Sequence, residues 1–145
     1  MNSRGGSLLL KVLVGLLVGG GLLSMQVSPA SAMKLKLFQS PSGNIGCAML
    51  KSGVRCDIAN HTWPTPKTPK SCPLDYGNGL IVGTKGRGRF VCAGDTTLHQ
   101  GKVLPYGAMK KLGHFKCISQ TGGMRCINHK TGHGFRLSIA HATRF

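Results

Sequence analysis

One cysteine-bounded decapeptide occurs twice in the chain, and this repeat constrains the fold more than any other feature. Residues 47–56 and 117–126 each begin and end with Cys, with Gly at the seventh position and Arg before the second Cys. Pairing the two cysteines across an antiparallel hairpin leaves a two-residue turn, the commonest hairpin connection. The cysteines then face each other at a non-hydrogen-bonded pair, where Cα atoms are closest and a disulfide can form. Each segment is predicted to be a disulfide-linked β-hairpin.

The hairpin register also predicts the residues of each turn. Lys51 and Ser52 fall at the first turn, and Thr121 and Gly122 at the second. Gly122 is expected to supply a positive φ there at low steric cost. A four-residue loop would keep the same disulfide, so the turn type stays open.

The N-terminal 32 residues have the organisation of an export signal. Arg4 gives a basic start, residues 12–23 are uninterrupted small and apolar residues, and residues 30–32 are Ala-Ser-Ala, a cleavage pattern. We therefore predict a signal peptide at 1–32, cleavage near Ala32, and one secreted domain at 33–145. The alternative is an uncleaved anchor spanning residues 8–23.

Six cysteines follow the predicted signal peptide. An exported chain reaches an oxidising compartment, where an even number of cysteines indicates disulfides. Zinc is the competing interpretation, but structural zinc sites favour Cys pairs two to four residues apart. We therefore expect no metal and no cofactor. If each repeated segment closes on itself, the pairs are Cys47 with Cys56, Cys117 with Cys126 and Cys72 with Cys92.

The predicted domain is strongly basic. Without Arg4 and Lys11, it keeps 17 of the 19 Lys and Arg, contains three Asp and no Glu, and has a formal charge of +14. Such an excess favours an anionic partner, namely an envelope polymer, a lipid head group or a nucleic acid. The alternative is that the charge serves solubility alone.

The sharpest local candidate for anion contact is the glycine-rich segment 84–89. It contains Lys85, Arg87 and Arg89, and its glycines allow backbone N–H groups to approach an anion. It lacks the pattern of a nucleotide-binding phosphate loop. The alternative is a solvated hairpin tip whose charges oppose edge-to-edge aggregation.

Catalytic chemistry has only weak candidates. Asp75 and Asp95 share a Cys-x-x-Asp spacing and become neighbours if Cys72 pairs with Cys92, and His133 lies between two glycines. The three residues could supply acid and base groups. The alternative is that the Asp side chains cap turns or pair with Arg, and that His133 has no task. We expect no catalytic residue.

The rest of the domain is predicted to be all-β, a small disulfide-stapled antiparallel sandwich or barrel of about eight short strands. Residues 108–112 could form one helical turn. Residues 60–73 carry prolines that exclude helix and central strand, and they are predicted to form an extended strap pinned by Trp63. The predicted strands are 33–38, the two arms of each hairpin, 80–82, 90–93 and 135–139.

Six short motifs lie in order along the domain: Phe38-x-Ser-Pro-Ser-Gly-Asn-Ile-Gly-Cys47, Arg55-Cys56-Asp57-Ile58, Cys72-x-Leu-Asp-x-Gly77, Cys92-x-Gly-Asp-Thr96, Leu104-Pro-Tyr-Gly107 and Gly132-His-Gly-Phe135. Together they resemble a family of small exported actinobacterial proteins classed as a domain of unknown function. The resemblance implies secretion and six paired cysteines. It implies no activity, substrate or site.

These observations favour a secreted, non-enzymatic binding protein that engages an anionic partner in the envelope or the extracellular space. One alternative is a small secreted hydrolase that acts on RNA or another polyanion. A structural surface protein is the other. The oligomeric state is not predicted.

Overall fold

The computed structural model describes residues 32–145, so the predicted signal peptide lies outside the described residues apart from Ala32. These residues form eleven strands and no helix, and accordingly none of their segments is a helix that could cross a membrane. The strands are β1 Lys36–Gln39, β2 Ile45–Leu50, β3 Gly53–Ile58, β4 Tyr76–Gly83, β5 Arg89–Cys92, β6 Lys102–Val103, β7 Met109–Leu112, β8 Phe115–Gln120, β9 Gly123–Asn128, β10 Gly134–Leu137 and β11 Ala142–Arg144.

The strands form two sheets that repeat one topology. The first sheet has the order β5-β4-β3-β2-β1-β6, and the second has the order β11-β10-β9-β8-β7. Each of β1–β5 therefore has a counterpart in β7–β11 with the same neighbours and the same antiparallel pairing. The cysteine repeat is thus the centre of a five-strand repeat. We call residues 36–92 the first half and residues 109–144 the second half.

A single core lies between the two sheets and contains two disulfides in contact with each other. The Cys47–Cys56 and Cys117–Cys126 disulfides are buried in it, and the sulfur atoms of Cys56 and Cys126 are 3.7 Å apart. Since both sulfurs are oxidised, this is a van der Waals contact. The largest apolar side chains around it are Phe38, Met49, Leu80, Phe115, Met124, Phe135 and Leu137.

The predicted all-β fold and three-disulfide framework are confirmed. The pairs are Cys47–Cys56, Cys72–Cys92 and Cys117–Cys126. The architecture is a sandwich of two sheets. It is not purely antiparallel, because β6 pairs with β1 in parallel.

Three strands beyond the predicted eight are present, and all are short. They are β6, β7 and β11. The helical turn predicted at 108–112 is wrong, because Met109–Leu112 instead pairs with β8 along the edge of the second sheet. A single helical turn is barely stable by itself, so pairing with an existing strand decides the conformation.

The predicted two-residue turns are confirmed, since Leu50 pairs with Gly53 and Gln120 with Gly123. The positive φ predicted for Gly122 at the second turn is wrong. It is found at Gly123, with a φ of 120°, and not at Gly122. A Cβ on Gly123 would collide with the carbonyl oxygen of Leu137 on the neighbouring strand, so this position requires Gly.

Strand β4 starts earlier than the predicted strand at 80–82, because it begins at Tyr76. Tyr76 pairs with Cys92 and Leu80 with Phe90, so β4 has extra residues between two points of regular pairing. Gly77 lies in this bulge with a φ of 97°. The bulge explains why a glycine-rich, turn-like sequence can continue a strand.

The strap at 60–73 has no strand or helix, as expected. Trp63 packs against the core, and its indole N–H donates a hydrogen bond to the carbonyl oxygen of Ser138 at 3.0 Å. The indole also stacks on the ring of His61, with centroids 3.5 Å apart. The bond to Ser138 anchors the strap to the second half, and the stack on His61 lies within the strap.

Candidate functional site

The outward side of the second sheet carries four cationic side chains on adjacent strands. Lys111 on β7 is directly opposite Lys116 on β8. Arg125 on β9 is directly opposite Arg136 on β10. Residues directly opposite each other point to the same side of a sheet. The inward neighbours Cys117, Cys126 and Phe135 are buried, so these cations point away from the core. We call Lys111, Lys116, Arg125 and Arg136 the cationic face.

Like charges directly opposite one another destabilise a sheet, and the cationic face has two such pairs. No nearby carboxylate in the sequence offsets them, because residues 96–145 contain eight Lys or Arg and no Asp or Glu. Both salt bridges among the described residues belong instead to Arg55 in the first half. The second sheet therefore presents cations that stay available to an external anion.

Aromatic rings contact two arginines of the second sheet, and these contacts leave the positive charge of each arginine intact. The guanidinium carbon of Arg125 lies 5.1 Å from the centroid of the Phe145 ring, and that of Arg144 lies 4.7 Å from the Phe90 ring. A cation over a ring face is held in place while it keeps its full charge. Phe145 is itself paired by backbone hydrogen bonds with Gly134 on β10.

The three cations of the predicted anion-binding loop are Lys85, Arg87 and Arg89, and the structure places the two arginines in different clefts. All three are exposed. The Arg87 guanidinium donates to the carbonyl oxygen of Arg144 at 3.0 Å, and these two residues line one cleft of about 440 Å³. Arg89 lies on β5 opposite Ile81 and lines a different cleft with Arg55. Arg87 thus joins the edge of the second sheet, whereas Arg89 belongs to the first.

All three Asp of the described residues line one cleft of about 430 Å³ on the first half, which we call the carboxylate cleft. It includes Asp57, Asp75 and Asp95, together with Arg55. Asp75 and Asp95 both line this cleft, and Cys72 and Cys92 form the disulfide on which their predicted proximity depended.

Arg55 joins two of the three carboxylates. Its guanidinium donates to Asp57 through Nε at 3.0 Å and a terminal nitrogen at 2.7 Å, and to Asp95 through the other terminal nitrogen at 2.7 Å. Burial of the guanidinium lowers its pKa, but the hydrogen bonds to the two carboxylates outweigh this effect and raise the Arg55 pKa above its ordinary value. Hydrogen bonding to Arg55 is also the main reason why the Asp95 pKa is lowered.

This ion-pair network fixes the connection between β5 and β6 on the outside of the first sheet. The Thr97 backbone N–H donates to the Asp57 carboxylate at 2.8 Å, and the Thr97 hydroxyl donates to the Gly46 carbonyl at 2.6 Å. A Cβ on Gly46 would collide with the Thr97 carbonyl, so the connection lies directly on the strand. The buried Asp57 therefore has a structural role, as the alternative interpretation of the Asp residues proposed.

The third candidate catalytic residue lies elsewhere. His133 is in the connection between β9 and β10 and is not among the residues lining the carboxylate cleft. Its backbone N–H donates to the Thr131 hydroxyl, and its carbonyl accepts from Asn128. Arg55 lowers the Asp95 pKa, so near neutral pH this carboxylate has no proton to donate and is a weaker base than an ordinary Asp. This arrangement gives little support to acid–base chemistry by His133, Asp75 and Asp95.

The sulfur atoms of Cys56, Cys117 and Cys126 lie within 4.8 Å of one another, a spacing compatible with a metal site. Each of them belongs to a disulfide. Metals bind the thiolate form of cysteine, which a disulfide does not provide. This group of sulfurs is therefore part of the core.

The cationic face was not predicted from the sequence. A partial signal was present, because the hairpin register and the alternation of a strand place Lys116 and Arg125 on the side opposite the cysteines. The contributions of Lys111 and Arg136 could not be predicted, because β7 was expected to be helical and the β9–β10 register depends on contacts distant in sequence.

Comparison with known proteins gives a family but no relative of known activity. A protein-family model described as a family of unknown function, DUF6636, matches residues 20–145. No curated protein and no solved structure matches the chain.

Proposed function

The chain belongs to this family of unknown function, and we propose that it is an exported, non-enzymatic binding protein that engages an anionic polymer through the cationic face of its second sheet. The contact surface comprises Lys111, Lys116, Arg125 and Arg136. Arg87 lies at the β11 edge of the same sheet, where its guanidinium donates to the Arg144 carbonyl oxygen, and it is tested separately.

The observation that supports this proposal is the pairing of like charges. Two directly opposed cation pairs on one sheet face oppose folding, and the second half contains no Asp or Glu to compensate them. Local departures from folding rules are characteristic of functional surfaces. Bound anions would remove this repulsion, so the arrangement is better suited to the complex than to the free protein.

Export is supported by the disulfides. Three disulfides indicate an oxidising environment such as the outside of the cell. We propose that the signal-like pattern at 1–32 directs export and that it is cleaved near Ala32. The partner is then a polymer of the envelope or of the extracellular space.

The test compares charge reversals at three places that change the net charge equally. The face variant is Lys116→Glu with Arg136→Glu, and the loop variant is Lys85→Glu with Arg87→Glu. The control is Lys67→Glu with Lys70→Glu, on the exposed strap. Binding of each purified protein to inorganic polyphosphate is measured by calorimetry at several salt concentrations.

The face variant is expected to lose about 100-fold in affinity and to show a weaker salt dependence, because fewer counterions are released on binding. The strap control is expected to lose less than about threefold, through net charge alone. Equal losses in the face and strap variants would show that only the overall charge attracts polyanions. A loss confined to the loop variant would place the site at Lys85 and Arg87 instead.

A further inference from the structure

A cleft of about 300 Å³ lies where three connections of the sandwich meet, and we call it the loop cleft. Its walls are the turn between β1 and β2 at 40–44, the β8–β9 turn and the β10–β11 connection at 138–141. Tyr106 adds a further side. The volume is at the lower end of the range found for ligand pockets, which is enough for one small cyclic unit.

The walls of the loop cleft are held by internal hydrogen bonds. The Ser40 hydroxyl accepts from the Ile45 backbone N–H at 3.1 Å, and the Ser138 hydroxyl accepts from the His141 backbone N–H at 2.9 Å. Both serines are buried. The cleft is therefore formed before any ligand arrives, which lowers the entropic cost of binding.

The groups that remain available in the cleft include the His141 ring, two large apolar side chains, and amide and hydroxyl groups. Tyr106 and Ile139 are large apolar side chains that are 48% and 55% exposed. Gln120 and Thr121 are exposed, and within residues 32–145 neither side chain forms a hydrogen bond. The cleft thus combines an aromatic ring and an aliphatic side chain with uncommitted amide and hydroxyl groups.

Arg136 is the only residue lining the loop cleft that carries a fixed charge, as far as the described residues show. Its guanidinium is 3.4 Å from the Gly122 carbonyl oxygen, near the limit for a hydrogen bond, so most of its donors are free. Arg136 is also part of the cationic face. The loop cleft is therefore continuous with the surface proposed to bind an anionic polymer.

We propose that the loop cleft binds one acidic sugar unit of an anionic polysaccharide. A sugar ring has an apolar C–H face that packs on an aromatic ring and hydroxyls that pair with amide and hydroxyl groups. The single guanidinium matches one carboxylate per unit, which it can bind with two parallel hydrogen bonds. Single-stranded nucleic acid would need a row of rings that follows the strand, whereas among the described residues this one cleft offers the Tyr106 ring and the smaller His141 ring.

This inference rests on the proposed function, and its test uses a residue outside the cationic face. Tyr106→Ala removes the phenol ring from the cleft, and Val103→Ala is the control, because Val103 is similarly exposed at 52% but does not line the cleft. Affinities of both variants and of the unchanged protein are measured for tetragalacturonate, for polyphosphate of equal charge and for a single-stranded oligonucleotide of equal charge. Thermal unfolding checks that each variant is folded.

We expect Tyr106→Ala to lose about tenfold in affinity for tetragalacturonate and to keep its affinity for polyphosphate. Val103→Ala should change neither. If Tyr106→Ala leaves tetragalacturonate binding unchanged, or if the oligonucleotide binds more tightly than the tetragalacturonate, the acidic-sugar assignment is wrong while the cationic face still stands. If neither polyphosphate nor tetragalacturonate binds the unchanged protein, the proposed function itself fails.

Discussion

The two halves of the molecule share a five-strand topology, but the equivalent arginine has different contacts in each half. Arg55 and Arg125 both precede the second cysteine of their hairpin. Arg55 is tied to Asp57 and Asp95, whereas Arg125 lies over the Phe145 ring and faces another cation, Arg136.

The arginine of the first half is therefore neutralised by carboxylates of the protein, whereas the arginine of the second half has no carboxylate partner among the described side chains. The residue after the second cysteine shows this most clearly, because it is Asp57 in one half and Ile127 in the other. Asp57 fixes the β5–β6 connection onto the first sheet through Thr97. The two halves thus use one topology differently, because the first half holds a loop with its charges and the second leaves exposed the cations that we propose bind an anion.

The largest expected effect concerns what the halves share, the buried hairpin disulfides. Replacing Cys47 and Cys56 by Ala, or Cys117 and Cys126 by Ala, should each lower the free energy of unfolding by about 3 to 5 kcal/mol, through loss of loop restriction and of core packing. Urea denaturation measures both losses. If one pair could be removed without effect, the two hairpins would not be equivalent parts of the core.

A smaller difference is expected at the glycine that follows each turn. Gly123→Ala should cost about 3 kcal/mol, because Gly123 has a positive φ and its Cβ would collide with the Leu137 carbonyl. Gly53→Ala should cost about 1 kcal/mol, because its Cβ would lie 2.9 Å from the Val82 carbonyl oxygen and its φ is not positive. Equal losses in urea denaturation would contradict the difference in backbone conformation.

Replacing Arg55 or Arg125 should lower the free energy of unfolding by different amounts. Arg55→Ala leaves the buried Asp57 carboxylate without its ion partner and should cost about 2 kcal/mol. Arg125→Ala removes one cation–π contact, and because it also relieves repulsion from Arg136 it should cost less than about 0.5 kcal/mol. A larger cost for Arg125→Ala in thermal unfolding would show that the second-sheet arginine is structural.

The smallest effect is expected at Asp95, which is 80% exposed. Because Arg55 lowers its pKa in the folded state, the ion pair stabilises the fold above the ordinary Asp pKa, and this contribution is lost as the pH falls through the lowered value. Asp95→Asn should therefore melt below the unchanged protein at pH 7, and the gap should close below about pH 4. Asp75→Asn, which lacks this partner, is the control. A gap that persisted in acid would exclude the ion pair as its cause.

The sequence predicts the parts of the fold that depend on local geometry. The spacing of the paired cysteines predicts two hairpins, their register and their disulfides. The pairs are Cys47 with Cys56 and Cys117 with Cys126. It could not predict β7 or β11, because these short edge strands are stabilised by a neighbour that is already formed. For the same reason the sequence indicated a basic loop but not the cationic face, which exists only once β7–β10 are aligned.

The most direct test of the account is a titration of the ¹⁵N-labelled domain with inorganic polyphosphate, followed through its backbone amide resonances. The account predicts that the largest changes lie at Lys111, Lys116, Arg125 and Arg136, with small changes at Arg55 and its neighbours in the first sheet. Changes spread evenly over both sheets, or centred on the first sheet, would contradict it.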